Sequence, residues 1–140
     1  MIKQSYLNGH LLLATTSLTD PRFDRSVIYI CTHSTEGAMG LVINKVCNNI
    51  DFPELLNQLN VNDTENTSPK RMSALENIPL YDGGPVETGR GFILHSADYS
   101  QETTLMISEK IALTATIDIL SAIADGEGPK DYLITLGYSG

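Results

Sequence analysis

The apolar positions of this chain fall into short runs divided by polar turns, and most of the runs read as strands. Gly9 opens an extended run from His10 to Thr15. Ser26 to Thr32 (SVIYICT) concentrates β-branched and aromatic residues and reads as a buried strand. Thr32 to Gly37 forms a loop before a further strand, Ala38 to Asn44, and strands joined so closely pair as an antiparallel hairpin. Asp20-Pro21 carries a helix-start signal, since Asp caps free N–H groups and Pro suits the first helical position. Asp51-Phe52-Pro53-Glu54 has the Asp-x-x-Glu spacing of a capping box, with Leu55, Leu56 and Leu59 following at helical spacing. The polar stretch 60–77 predicts a mobile loop. Extended structure resumes from Pro79 to Asp82 and turns at Gly83-Gly84-Pro85. It continues over Gly91 to Ala97, Thr103 to Ile107 and Ile111 to Thr114. Thr116 then starts a helix with Ile117, Leu120, Ile123 and Ala124 on its apolar face and Gly126 at its C-terminal stop. Beyond Pro129, Tyr132 to Leu136 is the last strand. Many strands with two to three short helices, and no regular strand–helix alternation, predict an α+β fold with a mostly antiparallel sheet.

Composition narrows the class. The 140 residues suit one domain over 1–140, and 41% hydrophobic content is enough to fill a core. The longest apolar run, Val27 to Cys31, is far short of the roughly 20 residues that span a bilayer as a helix. Lys3 and the short Leu11-Leu12-Leu13-Ala14 do not make a signal peptide, so a cytoplasmic location is expected. Cys31 and Cys47 then read as reduced thiols outside any paired metal-ligand spacing. A formal charge of −8 and scattered basic residues disfavour direct DNA binding.

Candidate chemistry is sparse. The paired glycines Gly83 and Gly84 allow backbone N–H groups to approach an anion, with Arg90 as a bidentate partner, or else they supply a tight turn. His10, His33 and His95 lack the spacing of a metal motif, so neither a metal nor a cofactor is expected. A Gly-x-Ser-x-Gly elbow is absent, and Glu36 beside His33 reads as a solvated loop carboxylate before a general base.

Five blocks occur in a telling order: Asn8-Gly9-His10-Leu11-Leu12-Leu13-Ala14, Asp20-Pro21-Arg22-Phe23-Asp24-Arg25-Ser26-Val27, His33 with Glu36-Gly37-Ala38-Met39-Gly40-Leu41-Val42-Ile43-Asn44-Lys45, Gly83-Gly84-Pro85-Val86, and Arg90-Gly91-Phe92-Ile93-Leu94-His95-Ser96. Over essentially its whole length the chain resembles the YqgE/AlgH family of bacterial proteins. The resemblance implies a bent, partly split sheet approaching a barrel and a cytoplasmic bacterial protein. It implies no reaction, and the regulatory role behind the AlgH name is weak support for DNA binding. Thr15-Thr16-Ser17 stands where the family usually has Met-Pro. The chain also ends at Gly140, before the Trp and Gln-Leu-Glu segment of the family pattern, so it is expected to lack the family's C-terminal segment.

These readings converge on a non-enzymatic binding or regulatory protein acting through a protein or small-molecule partner. The alternatives are an enzyme or small-anion sensor near the Gly-Gly-Pro turn, and a transcriptional regulator. The candidate ligand-binding set is His33, Asn44, Gly83, Gly84, Arg90 and His95, part of which is expected to line one concave surface, the alternative being His95 turned inward as a satisfied core residue and the glycines left as turns. A missing C-terminal segment would leave an exposed apolar patch or an unpaired sheet edge near Tyr132 to Tyr138 and favour a homo-oligomer.

Overall fold

The run SVIYICT folds as a strand and sets the first of two sheets. The computed structural model describes residues 9–13, 26–59 and 74–140. Strands β1 (Leu11–Leu13), β2 (Val27–Ser34) and β3 (Gly37–Val42) form a three-stranded antiparallel sheet in that order. The β2–β3 hairpin is tighter than its polar loop suggested, because Ser34 pairs directly with Gly37. Asp20-Pro21 and residues 14–15 of the first extended run lie outside the described residues.

The second sheet holds β4 (Leu80–Asp82), β5 (Val86–Ser96), β6 (Leu105–Met106), β7 (Ile111–Thr114) and β8 (Tyr132–Tyr138). Their spatial order is β4-β8-β5-β7-β6, and only β4 and β8 run parallel. The final strand is therefore an inner strand, hydrogen-bonded on both sides, which overturns the unpaired-edge half of the expectation there. Tyr132 at its start is nonetheless 38% exposed.

Alternation along β5 divides the core. Phe92 packs with Tyr29, Cys31, Leu41 and Leu113 between the two sheets. Ile93 turns the other way, into a larger cluster with Leu80, Ile134 and the helices α1 (Phe52–Gln58) and α2 (Ile117–Ala124). The molecule is thus helices on a five-stranded sheet on a three-stranded sheet, and the described strands close no barrel.

Local signals explain the helix ends. The Asp51 side chain accepts from the Glu54 N–H at 2.9 Å, as the capping spacing required. At the end of α2, Gly126 adopts a positive φ of 77°. Its N–H reaches the Ile123 carbonyl at 3.1 Å, and the Glu127 N–H reaches Ala122 at 2.8 Å. That pair of bonds is a Schellman stop. Two details differ from the sequence reading. Ile117 is 48% exposed and Ile119 takes its place in the core. The Thr116 hydroxyl donates to Gln101 Oε1 at 2.5 Å instead of capping. Of the polar stretch 60–77, residues 60–73 lie outside the described set, while 74–76 form a helical turn that buries Leu75.

Candidate functional site

Among the described residues, backbone hydrogen bonds join the two sheets at one place. Gly40 and Ser139 exchange both N–H···O bonds at 2.8 Å, and the Val42 N–H donates to the Gly83 carbonyl at 2.9 Å. Beyond β3 the chain runs beside β4, with Cys47 donating to Leu80 and Asp82 donating to Lys45. Glycine is required at this seam because main chains touch. A Cβ on Gly83 would stand 2.4 Å from the Gly137 carbonyl oxygen, and one on Gly84 would stand 2.3 Å from that of Tyr138. Gly84 also holds a φ of 150°. The Gly83 N–H is already spent on the Leu136 carbonyl at 2.8 Å, and the Gly84 N–H turns to Asp82 Oδ1 at 3.3 Å. Both glycines are buried, so in this structure they are weld points rather than an open anion cradle.

His95 is 3% exposed and fully bonded. Its Nδ1 lies 2.8 Å from the Ser96 carbonyl, which only accepts, so Nδ1 carries the proton. Nε2 then accepts from the Thr114 hydroxyl at 2.7 Å, whose oxygen accepts in turn from Thr104 at 2.8 Å. The edge of the His95 ring meets Tyr99, with centroids 5.8 Å apart. Ser96, the next residue, donates to the Asp98 carboxylate, and Asp98 also accepts from the Lys130 N–H at 3.0 Å. Those two bonds, the Ser96 one foremost, hold the Asp98 carboxyl below the usual carboxylate range. Serine, histidine and aspartate are thus close in sequence, but the imidazole is committed to threonine and forms no relay to Ser96.

Arg90 stands at the other end of β5, where the register with β8 shifts between Val86 and Gly91 and Glu87 has a positive φ of 50°. Its side chain is 53% exposed and lies 3.9 Å from Glu87. The guanidinium sits 5.2 Å from the Phe92 ring centroid and donates to the Ala115 carbonyl at 3.4 Å. It lines a cavity of about 280 Å³ with Gly89, Thr116 and Leu120. His33 is half-buried in β2, and the Asn44 side chain accepts from the Val27 N–H at 2.8 Å, tying together the ends of β2 and β3. The six candidate residues are therefore spread over the molecule, with His95 turned inward and Gly83 and Gly84 in a buried turn.

A cavity of about 580 Å³ lies elsewhere, in the gap between the two sheets. Leu11, Tyr29 and Ile43 of the smaller sheet form one wall, and Leu94, Ile111 and Leu133 of the larger sheet form the other. Ser96, Lys110, Asp131 and Tyr132 stand around it. Leu94 pairs with Leu133 and Ser96 with Ile111, so alternation turns these side chains into the cleft. The His95 ring lies on the opposite face, leaving its main chain at the wall. Of the six expected residues, only His95 borders this cleft. Arg90 has its separate cavity, and none of His33, Asn44, Gly83 or Gly84 lines either space. A third cavity, about 490 Å³ beside α1, touches Cys47, Asp82 and Gly89 and none of the six. The cleft was invisible to motif reading because its walls come from five strands and no local spacing unites them.

The thiols offer no nucleophile at the cleft. Burial pushes the Cys31 thiol up to about 12, which keeps it protonated and inert. The neighbouring Tyr29 phenol is raised as well, first by burial and then by Cys31. Among the described residues no group of three or more His, Cys, Asp or Glu is arranged to hold a metal ion. No helix among them is long and apolar enough to cross a membrane.

With this arrangement established, comparison with known proteins is decisive for kinship. A family model described as AlgH-like matches residues 11–140. The chain belongs to the AlgH-like family. It is 53% identical over 136 residues to a UPF0301 protein of Rhodopseudomonas palustris strain BisB18, covering 96% of this chain and 63% of that relative. A UPF0301 protein of Rhodospirillum rubrum is 46% identical over 137 residues, covering 98% of this chain and 67% of its own length. The chain thus spans about two-thirds of the curated relatives it matches. Among solved structures, the AlgH protein from Pseudomonas aeruginosa superposes with a TM-score of 0.79 at 41% identity, over 99% of this chain and 70% of that one. A Corynebacterium diphtheriae protein shares the fold alone, at 17% identity and a TM-score of 0.65. The family resemblance read from the Glu-Gly-Ala-Met-Gly-Leu and Gly-Gly-Pro-Val blocks is met. Those AlgH-like blocks include the residues that weld the two sheets.

Proposed function

We propose that this AlgH-like chain is a non-enzymatic binding protein of the cytoplasm, regulatory in effect, whose ligand is a small and largely apolar molecule. The observation that carries the reading is the 580 Å³ cleft between the sheets, walled by aliphatic and tyrosine side chains and edged by a few polar groups. That volume and that ratio of apolar wall to polar edge are what small-molecule sites have. The histidine, serine and buried thiol nearest to it are each committed to structural bonds or held protonated, so the cleft supports capture of a ligand better than its conversion. A thermal-shift screen of small apolar and amphiphilic compounds tests it. A ligand held at 100 times its dissociation constant adds about 2.7 kcal/mol of stability. Stabilisation is expected in the native chain and is expected to vanish in Leu133→Trp, where the larger ring fills the cleft. A complete screen without a stabiliser, or stabilisers indifferent to Leu133→Trp, would contradict the proposal.

A further inference from the structure

The sign of the charge on the cleft face narrows the kind of ligand further than the apolar walls do. Along β5, Leu94 and Ser96 face the smaller sheet, whereas His95 between them is buried against Thr114 on the other side. The flanking strands follow the same alternation. On β7, Ile111 pairs with Ser96 and shares its face, so Lys110 before it turns away from the cleft. On β8, Leu133 pairs with Leu94, and the ladder continues to Asp131, whose carbonyl accepts from the Ser96 N–H at 2.9 Å. Asp131 therefore stands on the cleft face. Lys110 and Asp131 are the charged residues that border the cleft, and the register presents only the carboxylate to it. That carboxylate is exposed and has no ion-pair partner among the described residues. The Ser96 hydroxyl donates to the Asp98 carboxylate, so the next charge along this rim is negative too. With a formal charge of −8 on the chain, an anionic group meets like charge at the rim and from the molecule as a whole.

We infer that the cleft takes an amphiphile with an apolar tail and a cationic amine head. This inference rests on the cleft being a ligand site. The tail fills the space between Leu94, Ile111, Leu133 and Tyr29, and the ammonium stays at the mouth beside Asp131. The head is kept at the mouth because the aliphatic walls offer a charge no partner. An alkyl amine is protonated near pH 7, as a lysine side chain is. A fatty acid of the same length sets its carboxylate against Asp131 and Asp98, and an alcohol forms no ion pair.

The test is calorimetric titration of the chain with hexylamine, heptylamine and octylamine, alongside octanol and octanoate, all below their micellar concentrations. Amine affinity is expected to rise about fourfold with each methylene buried, and octanoate is expected to bind more weakly than octylamine. Asp131→Asn is expected to lower the octylamine-to-octanol affinity ratio about threefold, the scale of an exposed ion pair, and high salt should lower it in the native chain. Asp118→Asn removes a carboxylate from α2, on the helix side of the larger sheet, and is expected to leave the ratio unchanged. Both positions are exposed, so these variants should fold normally, which circular dichroism checks. Octanoate binding as tightly as octylamine, or a ratio unmoved by Asp131→Asn, would overturn the inference and leave the cleft as a plain apolar site. An equal fall in Asp118→Asn would overturn it as well, since the net charge alone would then account for the preference. Amine affinity indifferent to tail length would do the same, as would failure of every amine alongside a compound that binds the cleft in the stability screen. Failure of every amine with no compound binding would remove both readings.

Discussion

The seam and the cleft are two solutions to the same contact between sheets, and they differ in what occupies the gap. At the seam, Gly40, Gly83, Gly84 and Ser139 bring main chain against main chain with no room for a single added carbon at Gly83 or Gly84. At the cleft, the walls carry full-sized side chains such as Leu94 and Tyr29, yet about 580 Å³ stays open between them. The β8 strand takes part in both, with Leu133 near its start at the cleft and Gly137 near its end at the seam. The blocks that look most like a binding motif in the sequence are thus closing the fold, while the space fit for a ligand is walled by residues with no motif.

The sharpest way to break this contrast is to add one carbon at each kind of glycine. Gly84→Ala drives a Cβ to 2.3 Å from a carbonyl oxygen at a φ that alanine resists. Strain and overpacking together should cost about 4 kcal/mol in urea unfolding. Gly89→Ala, five residues on, meets nothing within 4 Å. It should change stability by less than about 1 kcal/mol, and a comparable loss at both glycines would contradict the seam.

Next in size is the network beneath the cleft wall. Thr114→Val strands the buried His95 Nε2, and an unsatisfied buried polar group costs about 1–3 kcal/mol. Thr114→Ser keeps the hydroxyl and should recover most of the loss. A valine variant as stable as the native chain would contradict a role for the hydrogen bond.

A smaller effect separates the two cysteines and has a definite sign with pH. The Cys31 thiol is held protonated to about 12 in the folded chain, whereas its ordinary value is 9.0. Between those values the unfolded chain has lost a proton that the folded chain keeps, so stability falls as pH rises through that window. Cys31→Ala should flatten the alkaline limb of a stability–pH profile. In native labelling with a thiol reagent, half-buried Cys47 should react and Cys31 should not. Smallest of all, Lys110→Ala and Asp131→Ala should each shift stability by less than about 0.5 kcal/mol, since both are exposed.

How legible all this was in the sequence depends on distance along the chain. The β2–β3 hairpin, the Asp51 cap and the Gly126 stop were readable because each is decided by neighbours a few residues apart. The inner position of β8 was not, since its parallel pairing joins Leu80 to Ile134 across more than fifty residues. The early start of β5 was hidden by the irregular stretch between Val86 and Gly91, which breaks the alternation that marks a strand. At the candidate site, Gly83 and Gly84 stood out as residues but not for their reason. Close main-chain approach and anion binding call for the same amino acid, and only the position of β8 distinguishes them. Arg90 was read as an anion partner for the Gly83-Gly84 turn and His33 as one of three histidines without metal spacing, and the fold gives them separate surroundings.

The most direct measurement is two-dimensional amide NMR of the chain titrated with the strongest apolar stabiliser from the screen. The account predicts shift changes centred on Tyr29, Ile43, Leu94 to Ser96, Ile111 and Asp131 to Leu133, on both walls of the cleft. His33, Asn44, Gly83, Gly84 and Arg90 should stay near their free positions. Changes centred on Gly83, Gly84 and Arg90, with the cleft residues still, would contradict it.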